Sequence, residues 1–337
     1  MRRRWPGRRP PVPRAQAVTL RRSRDVPTLV AAARDGDPRA VARLISLVED
    51  GDEALPRIAA ALAPHTGAAA VVGLTGAPGV GKSTTTNELV TAFRKAGRRV
   101  GVLAVDPSSP FTGGAILGDR VRMQDHATDP GVYIRSMSSR GHLGGLSAAT
   151  PQAARVLAAA GCDPVVIETV GVGQAEVEIA GLADTTVVLL APGMGDAIQA
   201  AKAGVLEIAD IFVVNKADRD GADATYRDIQ GMIGLGTRAP GDWRPRVVRC
   251  VAARGEGIAD LVTAIDEHRA DLAASGALTR RRIRRAEAEI EAIALGVLRA
   301  RMQDLHSGDS LTTLAREVAE GRTDPYAAAD ALLAQLS

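Results

Sequence analysis

A glycine-rich segment of eight residues carries the most definite chemistry in this sequence. Residues 76–83 read GAPGVGKS, the G-x-x-x-x-G-K-S spacing of a phosphate-binding loop, and they follow an apolar run. Glycines let backbone N–H groups surround phosphate oxygens, and the start of a following helix adds positive potential. We expect Lys82 to reach the β- and γ-phosphates of a nucleotide and the Ser83 hydroxyl to bind Mg²⁺. The predicted nucleotide-binding residues of this segment are Gly76, Ala77, Pro78, Gly79, Val80, Gly81, Lys82, Ser83 and Thr84.

A second motif predicts which base the nucleotide carries. Residues 215–218 read Asn-Lys-Ala-Asp and follow the apolar run IFVV. The carboxylate of Asp218 can accept hydrogen bonds from the ring N–H and the exocyclic amino group of guanine, a donor pair that adenine lacks. Such a site discriminates between the two bases by a factor on the order of 10⁴. We expect Asn215 to tie the neighbouring loops together and the Lys216 stem to pack on the base, with GTP as substrate and GDP as product.

A later segment of small residues is a weaker candidate for the same site. One of its backbone N–H groups could donate to the guanine oxygen, although an ordinary strand-to-helix loop would have the same composition. Its three members are Val251, Ala252 and Ala253.

Acidic residues that end apolar runs or follow glycines predict a metal site near the phosphates. A protein Mg²⁺ site needs one or two carboxylates in addition to waters and phosphate oxygens. Helix capping or turn chemistry is the alternative role for each of these acids. The predicted metal ligands are Ser83, Asp106, Asp119 and Glu168.

The residues after Glu168 predict slow hydrolysis. Glu168 begins Glu-Thr-Val-Gly, where many GTPases carry Asp-x-x-Gly, and we expect the N–H of Gly171 to contact the γ-phosphate. The next residue is Val172 rather than a glutamine that orients the attacking water. The residues expected to act in catalysis are Lys82, Asp106, Asp119, Glu168 and Gly171.

Composition excludes several other classes of protein. No apolar run reaches the roughly 20 residues of a membrane span, and 2% aromatic residues argue against a base-stacking nucleic-acid platform. Residues 1–24 hold nine arginines, and the remaining 33 basic residues face 39 acidic ones, a net charge of −6. The two cysteines lie 88 positions apart, which argues against a disulfide framework or a zinc cluster and favours a cytoplasmic protein.

The order of apolar segments predicts an α/β fold. Short runs rich in valine and isoleucine alternate with helical stretches, which is typical of βαβ units in a doubly wound, mostly parallel sheet. The predicted strands are 70–75, 99–106, 131–136, 164–169, 185–191 and 211–216, with 244–252 at an edge. We divide the chain into a disordered basic leader at 1–24, a helical segment at 25–66, a GTPase domain at 67–273 and a helical C-terminal part at 274–337.

Longer motifs identify a family resemblance from about residue 26 to the end. The chain resembles the MeaB/ArgK family of P-loop GTPases, of the SIMIBI class, in the segments GAPGVGKSTTT, AVDPSSPFTGGAILGDRVRM, IRSMSSRGHLGGLS, ETVGVGQAEVEIA and APGMGDAIQAAKAGVLEIADIFVVNKAD. The resemblance implies a chaperone that binds an adenosylcobalamin-dependent acyl-CoA mutase, usually methylmalonyl-CoA mutase. It would gate cofactor loading and protect the mutase from inactivation, while the mutase stimulates GTP hydrolysis.

The resemblance also implies roles for two further segments. Residues 192–203, with Asp196, Gln199 and Lys202, correspond to a mobile switch that responds to the partner, which adds Lys202 to the catalytic candidates. The C-terminal helices correspond to a dimerisation arm, so a homodimer is expected. The alternatives are a GTP-binding scaffold without a mutase partner, a metallochaperone GTPase, for which the Cys and His ligands are missing, and a kinase of an amino-acid transport system.

Overall fold

A seven-stranded parallel sheet organises the main part of the molecule. The computed structural model describes residues 25–106, 123–138, 149–169, 175–193, 206–235, 241–306 and 310–334. The strands lie in the order β3-β2-β4-β1-β5-β6-β7, and each neighbouring pair is parallel. They are β1 (Val71–Thr75), β2 (Val100–Asp106), β3 (Val132–Ser138), β4 (Val165–Thr169), β5 (Thr185–Leu190), β6 (Ile211–Val214) and β7 (Arg246–Arg249). The predicted doubly wound α/β fold is confirmed, with β7 at an edge.

Helices connect the strands and extend the chain at both ends. The longer ones are α1 (Val26–Arg34), α2 (Pro38–Glu49), α3 (Leu55–Leu62), α4 (Lys82–Lys95), α5 (Thr150–Ala159), α6 (Ala175–Leu182), α7 (Ala222–Leu235), α8 (Ile258–Ala274), α9 (Ala277–His306), α10 (Ser310–Ala319) and α11 (Pro325–Leu333). Aspartate followed by proline begins α2 and α11, where the Asp37 and Asp324 carboxylates accept backbone N–H bonds. Within the described residues, none of the helices is long and apolar enough to cross a membrane.

Apolar side chains cover both faces of the sheet. Every residue of β4, β5 and β6 is buried, which is why these strands read as continuous apolar runs rather than alternating ones. On one face the N-terminal helices contribute Leu29, Leu44 and Ile58 to a core shared with α5. On the other face α4 and α8 contribute residues such as Phe93 and Leu261. The sheet is therefore held rigidly, and the loops at its carboxyl edge have fixed starting points.

Strand β6 is shorter than the sequence predicted. The predicted strand 211–216 ends at Val214, because Asn215 turns its side chain into the protein and Lys216 has a left-handed φ of +56°. The chain thus leaves the sheet at the residues expected to bind nucleotide.

The chain divides into two compact units, residues 1–278 and 279–337. In the second unit, a series of apolar side chains on α9 is half exposed, with exposed fractions between 46% and 67%. They are Ile283, Ile290, Ile293, Leu295, Val297 and Leu298.

Candidate functional site

The phosphate-binding loop joins the carboxyl end of β1 to the start of α4. Its glycines have left-handed backbone angles, with φ of +143° at Gly76, +79° at Gly79 and +99° at Gly81. A Cβ atom at Gly76 would lie 2.3 Å from the backbone oxygen of Leu189, and one at Gly81 would lie 2.3 Å from Asn215 Nδ2. Close packing against β5 at Gly76 and against the Asn215 side chain at Gly81 therefore favours glycine at both positions, in addition to the backbone angle.

The side chain of Lys82 is held within this loop. Its Nζ donates to the backbone oxygens of Gly76 at 2.7 Å and Ala77 at 3.1 Å, and only 8% of the residue is exposed. Thr84, which follows the motif, is exposed in the first turn of α4. The Lys82 ammonium therefore lies among the backbone groups that surround phosphate in loops with this motif.

Two of the predicted metal ligands meet, although they are 85 positions apart in the sequence. Ser83 Oγ donates to Glu168 Oε1 at 2.6 Å, and both residues are buried. Glu168 reaches the start of α4 because β4 pairs with β1, where Glu168 lies opposite Leu74. A hydroxyl and a carboxylate are the hard oxygen donors that Mg²⁺ prefers, so this pair fits the metal.

Several predicted residues lie outside the described part of the structure. Asp106 is the last residue of β2, next to β4, but its side chain is not among those described, and Asp119, Gly171 and Lys202 are outside entirely. Among the described residues, no group of three or more His, Cys, Asp or Glu side chains could hold a metal ion. A metal site here would therefore rest on Ser83 and Glu168, with further ligands from the nucleotide, water or the undescribed acids.

Asn215 joins three separate loops. Its Nδ2 donates to the backbone oxygen of Val80 at 2.8 Å, and its Oδ1 accepts from the N–H of Ala252 at 3.1 Å. Only 3% of Asn215 is exposed, and its backbone N–H donates to Leu190 on β5. The amide therefore fixes the phosphate loop, residues 215–218 and the turn after β7 relative to one another.

Lys216 and Asp218 lie on the open side of this junction. The Lys216 ammonium donates to the backbone oxygen of Gly79 at 2.7 Å, so its stem spans from the end of β6 to the phosphate loop. The Asp218 carboxylate is partly exposed and accepts a hydrogen bond from Arg254 Nη1 at 3.2 Å. A base bound here would meet the lysine stem and the carboxylate edge together.

The segment 251–253 has one N–H group left for a ligand. The N–H of Val251 donates to the backbone oxygen of Glu256 at 3.0 Å, and that of Ala252 donates to Asn215. Of the three predicted residues, Ala253 is therefore the candidate donor to a guanine oxygen, because the other two N–H groups hold the turn together.

Two features of the site have little or no signal in the sequence. Thr169 Oγ1 donates to Thr75 Oγ1 at 2.9 Å, which joins the buried ends of β4 and β1 directly below the phosphate loop. The only signal in the sequence is a threonine at the end of each apolar run. Arg254 contacts Asp218 across 36 positions, and nothing in its local sequence indicates that contact.

Comparison with known proteins decides the family. A family model described as "Methylmalonyl Co-A mutase-associated GTPase MeaB" matches residues 41–306, which is more than half of the chain. The chain belongs to the MeaB family. The resemblance inferred from the sequence motifs is thereby confirmed.

Individual relatives support the same assignment. A Pyrococcus abyssi protein, provisionally named a GTPase, is 49% identical over 311 residues, covering 91% of this chain and 96% of that protein. GTPase ArgK of Escherichia coli K12 is 39% identical over 252 residues, covering 73% and 76%. The mouse methylmalonic aciduria type A homolog is 40% identical over 214 residues, covering 63% and 52%. A crystal structure of a LAO/AO transport system kinase superposes with a TM-score of 0.67 at 27% identity, covering 92% and 97%.

Proposed function

We propose that this MeaB-family protein is a GTP-hydrolysing chaperone of an adenosylcobalamin-dependent acyl-CoA mutase, most directly methylmalonyl-CoA mutase. It gates loading of the cobalamin cofactor and protects the mutase from inactivation. The observation that supports the proposal is the junction at Asn215, which joins the phosphate loop at Val80 to the turn at Ala252. Asn215 lies three residues before the Asp218 carboxylate in the same motif. The match to a family described by its mutase association supplies the class of partner.

The chemistry of hydrolysis follows from the side chains at the phosphate end. Lys82 offsets negative charge on the β- and γ-phosphates, and the buried Ser83–Glu168 pair would hold Mg²⁺ against the same phosphates. Bound Mg²⁺ would neutralise charge that develops on the phosphate oxygens. The described residues offer no glutamine at this end to orient water, and Val172 follows Gly171 in the sequence. The isolated protein should therefore turn over below roughly one GTP per minute.

Coupling to the mutase requires a segment that differs between the GTP and GDP states. The candidates are residues 107–122 and 192–203, which begin directly after β2 and shortly after β5. Both strands end at the edge of the sheet that carries the phosphate loop, because all strand pairs are parallel. We assign the coupling to Lys202 in the second segment. The other candidates are Arg120 and Arg122 in the first segment, which follow Asp119 and could approach the γ-phosphate.

The exposed apolar face of α9 supports a homodimer. Ile283, Ile290 and Val297 repeat every seven residues, so they share one side of the helix, and each is at least half exposed. Burial of such a face against a second copy of the chain would remove it from water.

The test is phosphate release from GTP, measured with and without purified methylmalonyl-CoA mutase. We expect slow basal release, stimulation of several-fold or more by the mutase, and no release from Lys82→Ala. Lys202→Ala should keep the GDP affinity and lose most of the stimulation, whereas Lys95→Ala, an exposed lysine at the end of α4, is the matched control and should behave as the unaltered protein.

Fast release by the isolated protein that no acyl-CoA mutase alters would contradict the chaperone function and favour a GTPase without a mutase partner. Full stimulation of Lys202→Ala would move the coupling to Arg120 and Arg122.

A further inference from the structure

The backbone conformation of the turn between β7 and α8 is fixed by hydrogen bonds and close packing. The N–H of Val251 donates to the backbone oxygen of Glu256 at 3.0 Å, and the N–H of Glu256 donates back to Val251 at 3.3 Å. Gly257 closes the turn with a φ of +76°, and a Cβ atom there would lie 2.0 Å from the backbone oxygen of Arg249. The backbone therefore fixes where Arg254 and the residues around it can point.

Arg254 lies in this turn and contacts two carboxylates, those of Glu256 and Asp218. Its Nε donates to Glu256 Oε1 at 2.7 Å and its Nη2 donates to Glu256 Oε2 at 3.2 Å, a two-point contact between a planar guanidinium and a carboxylate. Its Nη1 remains for Asp218 Oδ2, at 3.2 Å. The hydrogen bonds to Glu256 raise the pKa of Arg254 above its usual value, so the guanidinium stays charged.

The contact leaves room for a base. A carboxylate has about four lone-pair positions on its two oxygens, and Arg254 uses one of those on Oδ2. Guanine would need one position on each oxygen, so the arginine need not leave when the base binds. What the arginine restricts is rotation of the carboxylate, which is partly exposed and would otherwise turn freely about its Cβ–Cγ bond.

From this arrangement we propose that Arg254 is a positioning residue for guanine selection. It holds the Asp218 carboxylate so that both oxygens face the base, and Glu256 in turn holds Arg254. This inference rests on the proposed GTPase function, and it adds a side chain that contacts neither phosphate nor metal in that function.

A nucleotide whose base has only one hydrogen-bond donor on this edge can distinguish a positioning role from a general effect on folding. Inosine diphosphate keeps the ring N–H but lacks the exocyclic amino group, so it needs only one well-placed carboxylate oxygen. GDP needs both oxygens in the plane of the base. Loss of Arg254 should therefore lower GDP affinity more than inosine diphosphate affinity, whereas a merely structural role would lower both equally.

The experiment is calorimetric titration of GDP, inosine diphosphate and ADP into the full chain and its variants. Because exposed ion pairs contribute up to a factor of about five in affinity, Arg254→Ala should bind GDP about fivefold more weakly and inosine diphosphate less than twofold more weakly. Arg254→Lys should restore part of the preference, since an ammonium can reach one carboxylate but cannot make the two-point contact. Glu256→Gln should show a smaller loss, and the double variant should match Arg254→Ala alone.

Arg249→Ala is the matched control, because Arg249 is a similarly exposed arginine that pairs with Asp223 and stacks on Tyr226. It should leave the ratio of GDP to inosine diphosphate affinity unchanged. If the unaltered chain prefers GDP to ADP but Arg254→Ala keeps its GDP to inosine diphosphate ratio, this inference is wrong and the proposed function stands. If the unaltered chain binds GDP no better than ADP, the proposed function itself fails.

Discussion

Replacement of Asn215 by alanine should destabilise the folded protein by about 2–4 kcal/mol, because it removes two buried hydrogen bonds at once. The change leaves the backbone oxygen of Val80 and the N–H of Ala252 without their partner, and both residues are essentially inaccessible to solvent. An unsatisfied buried polar group costs about 1–3 kcal/mol, and partial entry of water lowers the sum. The same change frees the phosphate loop, so GDP affinity should fall as well.

Denaturant unfolding followed by circular dichroism measures this loss without nucleotide. Lys216→Ala is the neighbouring control: it removes a hydrogen bond to the exposed backbone oxygen of Gly79, which water can replace, so it should cost less than about 0.5 kcal/mol. Asn215→Asp should also destabilise, because it keeps an acceptor for Ala252 but turns a second oxygen towards Val80. If Asn215→Ala loses no more stability than Lys216→Ala, Asn215 does not hold the loops together.

The remaining predictions rest on burial and packing. Burial raises the pKa of the Cys162 and Cys250 thiols to about 12, so neither should react with a thiol reagent at pH 8 in the folded state. Because these pKa values lie above the unfolded ones, the free energy of unfolding should fall as pH rises from about 9 towards 12, by up to about 1.4 kcal/mol per pH unit for each thiol. Gly76→Ala should destabilise by about 1–3 kcal/mol and more than Gly79→Ala in thermal unfolding, since only the former meets a backbone oxygen. Light scattering should show a dimer that Ile290→Glu converts to a monomer, and a monomeric unaltered chain would refute the proposed arm.

The strands and the two nucleotide motifs could be predicted from the sequence because each depends on residues within its own segment. A buried parallel strand needs apolar side chains on both faces, so β4 and β5 appear as uninterrupted runs. The phosphate loop needs glycine at fixed spacing, and the structure shows the close approaches that exclude a side chain at Gly76 and Gly81. The sequence could also predict that Asn215 connects loops, because the motif stands at the end of a strand.

Contacts between polar side chains that lie far apart in the sequence could not be predicted in the same way. Ser83 and Glu168 meet because β1 and β4 are neighbours, and the strand order is a property of the whole sheet rather than of either segment. Arg254 contacts Asp218 from an exposed turn. A charged side chain at such a position costs little free energy whatever its partner. An arginine in such a position has no local signal, so the sequence predicts a role for its neighbours Val251–Ala253 and not for Arg254 itself.

Preference for guanine is the property on which the account most directly depends, and calorimetric titration with GDP and ADP in the presence of Mg²⁺ measures it. We predict micromolar binding of GDP, far weaker binding of ADP, and loss of this preference in Asp218→Asn, because Asp218 pairs with a donor edge that adenine lacks. Equal affinity for GDP and ADP in the unaltered chain would contradict the assignment of the site to guanine nucleotides.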